Sequence, residues 1–162
     1  MGKLHFPRRG VAIALVLLAI VAALVLLAVF AWPSGPRTGE ARWVDAGLLD
    51  AIPANQPLRF AEERFWLVRL SSGEVLALWQ ADPNDGCTVP WRPDFDFLGH
   101  KGWFRNPCHG ATYDLAGRCF AGPCPRGLDR FRTEIQDGRV RVNVKATILG
   151  PPVDAGAQPI NP

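Results

Sequence analysis

The residues of this chain best suited to metal or thiol chemistry lie in its second half. Cys108 and His109 are adjacent in Asn106-Pro107-Cys108-His109-Gly110, and a further cysteine follows in Gly122-Pro123-Cys124-Pro125. Thiolate and imidazole are the usual protein ligands of iron and zinc. In an oxidising compartment an even number of cysteines is equally compatible with disulfides, whose pairing the spacing alone does not give. The four cysteines are Cys87, Cys108, Cys119 and Cys124.

An uncharged, apolar stretch precedes this region near the N-terminus. Val11 to Trp32 are 22 residues without a charge, long enough as a helix to cross the roughly 30 Å core of a bilayer. The run is longer than the apolar core of a cleaved signal peptide, so we predict a retained anchor. Lys3, Arg8 and Arg9 precede it, which predicts a cytoplasmic N-terminus and an extracytoplasmic domain. The four cysteines then fall in an oxidising compartment.

From Trp43 onward, short apolar runs alternate with turn residues, a pattern typical of an antiparallel β domain. Residues 65–70 and 74–79 are rich in Val, Leu and aromatic residues and flank Ser71-Ser72-Gly73, which predicts a hairpin. A second hairpin is predicted from residues 129–135 and 139–145 around Gln136-Asp137-Gly138. In its last strand valines alternate with polar residues, which indicates one buried and one solvated face.

The stretch between the hairpins is predicted to hold little regular secondary structure. Residues 80–128 contain all four cysteines together with many Gly, Pro and Asp residues. A long irregular stretch inside a compact domain must be held by something other than β-ladders. Disulfides, a metal or both are the candidates. The small net charge of +3 and the absence of a basic face argue against nucleic acid as a partner.

Two segments of this region resemble the Rieske iron–sulfur subunits of quinol–cytochrome c reductases of the bc1 and b6f type. Gly86-Cys87-Thr88-Val89-Pro90-Trp91 is similar to the end of the family's first cluster-binding box. Phe104-Arg105-Asn106-Pro107-Cys108-His109-Gly110 is similar to the second box, which Tyr113-Asp114 and Gly117-Arg118 continue. Gly122, Pro123, Cys124 and Pro125 match the family's proline loop. The resemblance runs from about Trp43 to Val144.

The resemblance implies specific roles for individual residues. Cys87 and Cys108 take the places of the disulfide cysteines rather than of cluster ligands. The four positions equivalent to cluster ligands are Asp82, Asn84, Asn106 and His109. Three of them carry residues that are poor replacements for thiolate or imidazole on iron, and His109 is the remaining candidate metal ligand. The alternative is an unconventional site of His109, Asp82 and Cys119 or Cys124, or zinc on a mixed site. Cys119 and Cys124 are five positions apart around a Gly-Pro turn, so we predict a second disulfide between them. Ligation of a metal by either cysteine is the alternative.

The expected fold is mainly β: a Rieske-like antiparallel β-sandwich with a small, loop-rich, cluster-binding-like subdomain, preceded by one transmembrane helix. The expected organisation is a cytoplasmic N-terminus (1–10), an anchor (11–32), a linker (33–42), a Rieske-like domain (43–149, with its subdomain at 80–128) and an extended or disordered tail (150–162).

The expected function is that of an extracytoplasmic, membrane-anchored Rieske-like subunit with a structural or interaction role. The expected partners are the bilayer and the integral-membrane cytochrome or quinol-oxidising subunits of an electron-transfer complex. No cofactor and no catalytic residue are assigned, because the ligand set is incomplete. One alternative is a working [2Fe–2S] electron carrier of a quinol–cytochrome c reductase. Another is a thiol–disulfide protein that uses Cys119 and Cys124.

Overall fold

The computed structural model describes residues 8–31 and 41–161. The chain divides into two compact units, one reaching to Thr38 and one beginning at Gly39. The first contains the helix α1, Arg8–Ala31. Within the described residues, no helix combines the length and the hydropathy that crossing a bilayer requires. Trp32 and most of the predicted segments 1–10 and 33–42 lie outside the described residues.

The second unit consists of two antiparallel sheets, as the predicted fold class requires. Ten strands and one short 3-10 helix follow one another along the chain. They are β1 Trp43–Leu48, the 3-10 helix Leu49–Ala51, β2 Leu58–Phe60, β3 Phe65–Arg69, β4 Val75–Trp79, β5 Trp91–Phe97, β6 His100–Arg105, β7 Thr112–Tyr113, β8 Cys119–Ala121, β9 Arg130–Gln136 and β10 Arg139–Ile148. The larger sheet has the order β1-β10-β9-β4-β3-β2 and the smaller β5-β6-β7-β8.

Both predicted hairpins form, because their side-chain alternation and their turns agree. In the β9–β10 hairpin the turn is shorter than expected: Gln136 still pairs with Arg139, which leaves Asp137 and Gly138 as the two turn residues. Both have positive φ, 51° and 71°, as a two-residue turn that follows the twist of the strands requires. Val140 and Val142 are fully buried and Val144 is half-buried.

The two faces of the β3–β4 hairpin bury two hydrophobic clusters. One face packs Phe65, Leu67 and Ala77 against residues of β9 and β10 in the same sheet. The opposite face directs Val68 and Leu78 toward the region of the smaller sheet, where they join a cluster with Phe104 and Tyr113. Because strand side chains alternate between faces, one hairpin supports both clusters.

The region between the hairpins contains more regular structure than its composition predicts. Residues 80–128 include the four strands β5 to β8 in addition to their loops. The last two of these strands are only two and three residues long, too short to show a recognisable alternation. Their partners across the sheet and the aromatic contacts of Trp103 with Phe97 and Phe120 hold them in place.

The C-terminal segment has no helix or strand from Leu149 to Asn161 but is tied to the domain. The backbone N–H of Ile160 donates to the buried carboxylate of Asp114 at 3.1 Å, and that of Leu115 donates to Asn161 Oδ1 at 3.0 Å. Arg118 also donates to the carbonyl of Gln158. These bonds attach the segment to residues 114–118, which continue the second box.

Candidate functional site

Three loops meet at one end of the smaller sheet. The first connects β4 to β5, the second connects β6 to β7, and the third follows β8 and carries the proline loop. The Cys87–Cys108 disulfide joins the first two loops, with the Cα atoms 6.6 Å apart. The third loop packs on the second: a Cβ atom on Gly122, whose φ is +90°, would lie 2.6 Å from the Cα of Ala111. Glycine at this position therefore allows the loops to approach.

All four cysteines are paired in the described part of the chain. In addition to Cys87–Cys108, the structure contains a Cys119–Cys124 disulfide with Cα atoms 6.4 Å apart. Cys119 is only 7% exposed, and Cys124 packs against the same hydrophobic cluster. Cys124 therefore lies in the proline loop as a partner of Cys119, and its thiol is not available to ligate a metal.

Asp82 is the centre of a buried hydrogen-bond network between the loops. Its side chain has no exposed surface. Oδ1 accepts the backbone N–H of Asn84 at 2.8 Å, while Oδ2 accepts the Asn106 amide and the Tyr113 hydroxyl, both at 2.8 Å. These bonds join the first loop to the second loop and to β7. Asp82 thus occupies the protein interior as a hydrogen-bonded acceptor.

Asn106 holds the second loop against Asp82. Its Oδ1 accepts the backbone N–H of Cys108 at 2.7 Å, which fixes the orientation of the amide group. Nδ2 then lies 2.8 Å from Asp82 Oδ2, 3.1 Å from Asp85 Oδ1 and 2.9 Å from His109 Nε2. The residue is 1% exposed. One amide group therefore faces three acceptor atoms, although it carries only two N–H groups.

His109 lies at the outer edge of the network. Its Nε2 is 3.1 Å from Asp85 Oδ2 and 3.7 Å from Asp82 Oδ1, and 19% of its side chain is exposed. Its other ring nitrogen, Nδ1, is buried and has no hydrogen-bond partner among the described residues. The structure thus brings three of the four predicted positions together: Asp82, Asn106 and His109.

The fourth predicted position is not part of this cluster of side chains. Asn84 is exposed, and it contributes its backbone N–H rather than its side chain. Two residues that the ligand positions of the boxes do not include, Asp85 and Tyr113, take part in the cluster instead. A turn rich in Asp, Asn and Gly just before Cys87 was the available signal for Asp85. Tyr113 is 31 residues from Asp82, and no local pattern predicts that contact.

The network shifts the acidity of two of its members. Burial, and then the hydrogen bond to Asp82, raise the pKa of Tyr113 far above its ordinary value. Partial desolvation acts to raise the pKa of Asp85. It is outweighed by the backbone N–H of Cys87, the Asn106 amide and the His109 ring, so that this pKa lies below its usual range. The hydroxyl of Tyr113 is therefore a proton donor and Asp85 an anion at neutral pH.

Tyr113 is the only tyrosine of the chain, so its ionisation can be followed directly by tyrosinate absorbance. In the unfolded chain it loses its proton near pH 10, whereas the folded protein retains it. The contribution of Tyr113 to stability is thus complete below about pH 10 and is lost as the pH rises above that value. We expect tyrosinate to appear only together with unfolding in an alkaline titration.

The matched control for this titration is Tyr113→Phe. This variant gives no tyrosinate signal. It should also lose less stability at alkaline pH, because the ionisation of Tyr113 no longer contributes. Appearance of tyrosinate near pH 10 while circular dichroism still shows the native fold would contradict the hydrogen bond to Asp82.

Sequence comparison assigns this fold and these loops to a family. The family described as Rieske [2Fe-2S] domain matches residues 42–132, more than half of the chain. The chain belongs to the Rieske family.

Its similarity to individual members is partial. The chain is 34% identical over 72 residues to the cytochrome b6-f complex iron-sulfur subunit of Chlorobaculum tepidum, covering 44% of this chain and 36% of that one. It is 42% identical over 59 residues to the ubiquinol-cytochrome c reductase iron-sulfur subunit of Rhodobacter capsulatus, covering 36% and 29%. The match thus spans about a third of the length of each of these curated relatives. The plasma membrane Rieske protein PetC3 of Synechocystis PCC 6803 has 24% identity and a TM-score of 0.45, covering 62% of this chain and 98% of that one.

The residues present do not fit the cluster that gives the family its name. A Rieske [2Fe–2S] centre takes two thiolates on one iron and two imidazoles on the other. Every cysteine in the described part of the chain is in a disulfide, and the network contains one imidazole, that of His109. The polar groups of Asp82, Asn106 and Tyr113 are instead hydrogen-bonded to one another. This donor set consists of carboxylate, amide and phenol groups with a single imidazole.

Proposed function

We propose that this protein is a membrane-anchored, extracytoplasmic Rieske-fold subunit of a quinol-oxidising electron-transfer complex that carries no [2Fe–2S] cluster. Its role is structural contact within the complex rather than electron transfer. The observation that carries the proposal is the Asn106 amide, held by Cys108 and bonded to Asp82 in the buried space between the loops. A side chain that satisfies a neighbouring carboxylate in this way supports the loops without a metal.

The disulfide and the network together supply the cross-links that a cluster supplies elsewhere in the family. The Cys87–Cys108 bond closes a loop of 21 residues. Asp82 and Tyr113 add a buried hydrogen bond that reaches from the first loop to β7. Irregular loops need such long-range ties, because they lack the ladder bonds of strands. The loops of this subunit are thus held in shape for contact with a partner.

The proposed partners follow from the relatives. Two of them are named as iron-sulfur subunits of the cytochrome b6-f complex and of ubiquinol-cytochrome c reductase. We expect a chain of the same family whose cluster-ligand positions are changed to belong to an assembly of that class. There its domain surface can contact other subunits even without electron transfer. A domain of this kind needs a means of staying at the membrane.

The proposed anchor is residues 11–32, and its support comes from the sequence. This stretch has no charged residue and follows a basic N-terminal segment. On α1 the leucines at 15, 18, 24 and 27 are 60% exposed or more. A helix with apolar side chains on all of its faces needs an apolar environment to cover them. We propose that a bilayer supplies it, with the Rieske-fold domain on the extracytoplasmic side.

The decisive experiment is the iron and acid-labile sulfide content of the full chain, purified from membranes in mild detergent without chelator. We expect recovery in the membrane fraction, iron far below the two atoms that one cluster carries, and no electron paramagnetic resonance signal after mild reduction. The Rhodobacter capsulatus iron-sulfur subunit, prepared in the same way, is the positive control. Iron and sulfide in stoichiometric amounts would overturn the proposal in favour of a working electron carrier.

A further inference from the structure

We infer that Asp82, Asp85 and His109 form a binding site for one divalent first-row transition-metal ion of the zinc type. The inference rests on the proposed function in one respect, namely that no cluster fills the same loops. The three side chains each direct one ligand atom into a common space, and all three atoms lie within 4.8 Å of one another. One imidazole nitrogen and two carboxylate oxygens form an open, three-ligand set of the kind that zinc accepts together with water.

The distances from His109 to the two carboxylates are close to those between ligands of a single ion. Nε2 of His109 is 3.1 Å from Asp85 Oδ2 and 3.7 Å from Asp82 Oδ1. Ligands at about 2.0–2.2 Å from an ion lie roughly 2.8–3.6 Å from each other in octahedral or tetrahedral geometry, so the first distance fits and the second is slightly longer than a bound ion requires. The oxygens that face His109 are not those that accept the Asn106 amide. An ion can therefore bind without breaking those two hydrogen bonds.

The charge of the site is an observation independent of its geometry. The Asp82 side chain is fully buried and forms no ion pair with a lysine or arginine in the described residues. The second carboxylate, Asp85, likewise has only His109 as a potentially charged partner. Burying a carboxylate without a cation costs free energy. A divalent ion would supply the positive charge that no lysine or arginine of the described residues brings to these two carboxylates.

The hydrogen bonding around Asn106 points in the same direction. Its amide has two N–H groups for three acceptors, the two carboxylates and His109 Nε2. A neutral imidazole cannot both accept from this amide and donate to Asp85 through the same nitrogen. An ion bound to Nε2 removes the third acceptor and leaves one N–H for each carboxylate. Nδ1 has no partner among the described residues, so no hydrogen bond to that nitrogen fixes the tautomer of the ring.

Access and donor type define the class of ion. The side chains of Asp85 and His109 are 27% and 19% exposed, so an ion can enter from solvent and retain water ligands. The neighbouring Cys87 and Cys108 are bonded to each other and offer no thiolate. A site of one imidazole and two carboxylates suits Zn²⁺, Co²⁺ or Mn²⁺, whereas Ca²⁺ prefers six to eight oxygen ligands.

The test is calorimetric titration of Zn²⁺ into the full chain in detergent. The protein is first freed of metal with a chelator, which is then removed, and its disulfides are kept intact. We expect one ion per chain. Asp85→Asn and His109→Gln should each weaken binding by at least the roughly 10-fold loss that removing even an outer-shell partner of a metal causes. Co²⁺ should give a visible spectrum without the intense thiolate-to-cobalt band.

Control variants make the result specific to these side chains. His5→Gln and His100→Gln replace the other two histidines, and Asp94→Asn replaces an exposed carboxylate on β5. All three should bind Zn²⁺ like the parent protein. Circular dichroism establishes that every variant compared is folded, and Asp85, being exposed, is the variant least dependent on packing.

Each contrary result has a distinct meaning. Absence of stoichiometric Zn²⁺ binding, equal binding by the site and control variants, or a thiolate band with Co²⁺ overturns the metal site. If iron and sulfide are also absent from the purified protein, the proposed function stands without the metal site. Stoichiometric iron and sulfide as isolated overturns both, because the cluster would then fill these loops.

Discussion

Replacement of Asp82 by alanine is expected to lower the free energy of unfolding by about 3 kcal/mol. The variant removes a buried carboxylate that accepts from the Tyr113 hydroxyl, the Asn106 amide and the Asn84 backbone. Each buried donor left without an acceptor costs roughly 1–3 kcal/mol. Removing the desolvated charge offsets part of this loss, so the net effect is smaller than the sum.

The measurement is chemical unfolding of the full chain in detergent, followed by tryptophan fluorescence, with chelator present so that metal binding does not contribute. The matched control is Asp94→Ala, which removes an exposed carboxylate from β5. A double-mutant cycle with Tyr113→Phe should yield a coupling of about 1 kcal/mol or more between the two side chains. A cost for Asp82→Ala no greater than that of the control would show that the network does not stabilise the loops.

Loss of the Cys87–Cys108 disulfide in the double serine variant is expected to cost about 3 kcal/mol. The bond restricts the unfolded chain by closing a loop of 21 residues, and it joins the two loops that carry Asp82 and Asn106. Its removal therefore acts on the unfolded state through chain entropy and on the native state through the network. The loss should appear as a lower unfolding midpoint under the same conditions.

The second disulfide provides the comparison for this variant. Cys119 and Cys124 are only five positions apart in the sequence, so the same entropy argument assigns their bond about 2 kcal/mol. The Cys119→Ser and Cys124→Ser double variant should thus be the less destabilised of the two. An unchanged midpoint in the Cys87 and Cys108 variant would mean that the network alone holds the loops together.

The parts of the structure that were predictable are those specified by neighbouring residues. The β3–β4 and β9–β10 hairpins follow from alternation and turn residues, and Asp137-Gly138 shows how short the second turn is. The strands β7 and β8 were not predicted, because two or three residues carry no periodic signal and pairing with neighbouring strands defines them. The order of the strands in each sheet likewise depends on contacts between distant residues.

The candidate site likewise divides into residues that local motifs predict and residues that only the fold brings in. Asp82, Asn106 and His109 were singled out because the boxes around Cys87 and Cys108 resemble a known family. Asp85 was not, and Tyr113 was named only as part of the second box, because their roles in the site depend on partners 24 and 31 residues away: His109 for Asp85, and Asp82 for Tyr113. Asn84 was singled out, but its side chain is exposed. Spacing indicates which positions face a loop, whereas side-chain direction depends on the packed backbone.

The sequence by itself determined the family, the two hairpins and the kinds of donor atom near the loops, because motifs and alternation are local properties. Only the tertiary structure decided that Asn106 bonds to Asp82, that Tyr113 completes the network and that Asp85 joins His109. Hydrogen bonds form at donor–acceptor distances of about 3 Å, and only folding brings residues so far apart in the chain to that distance.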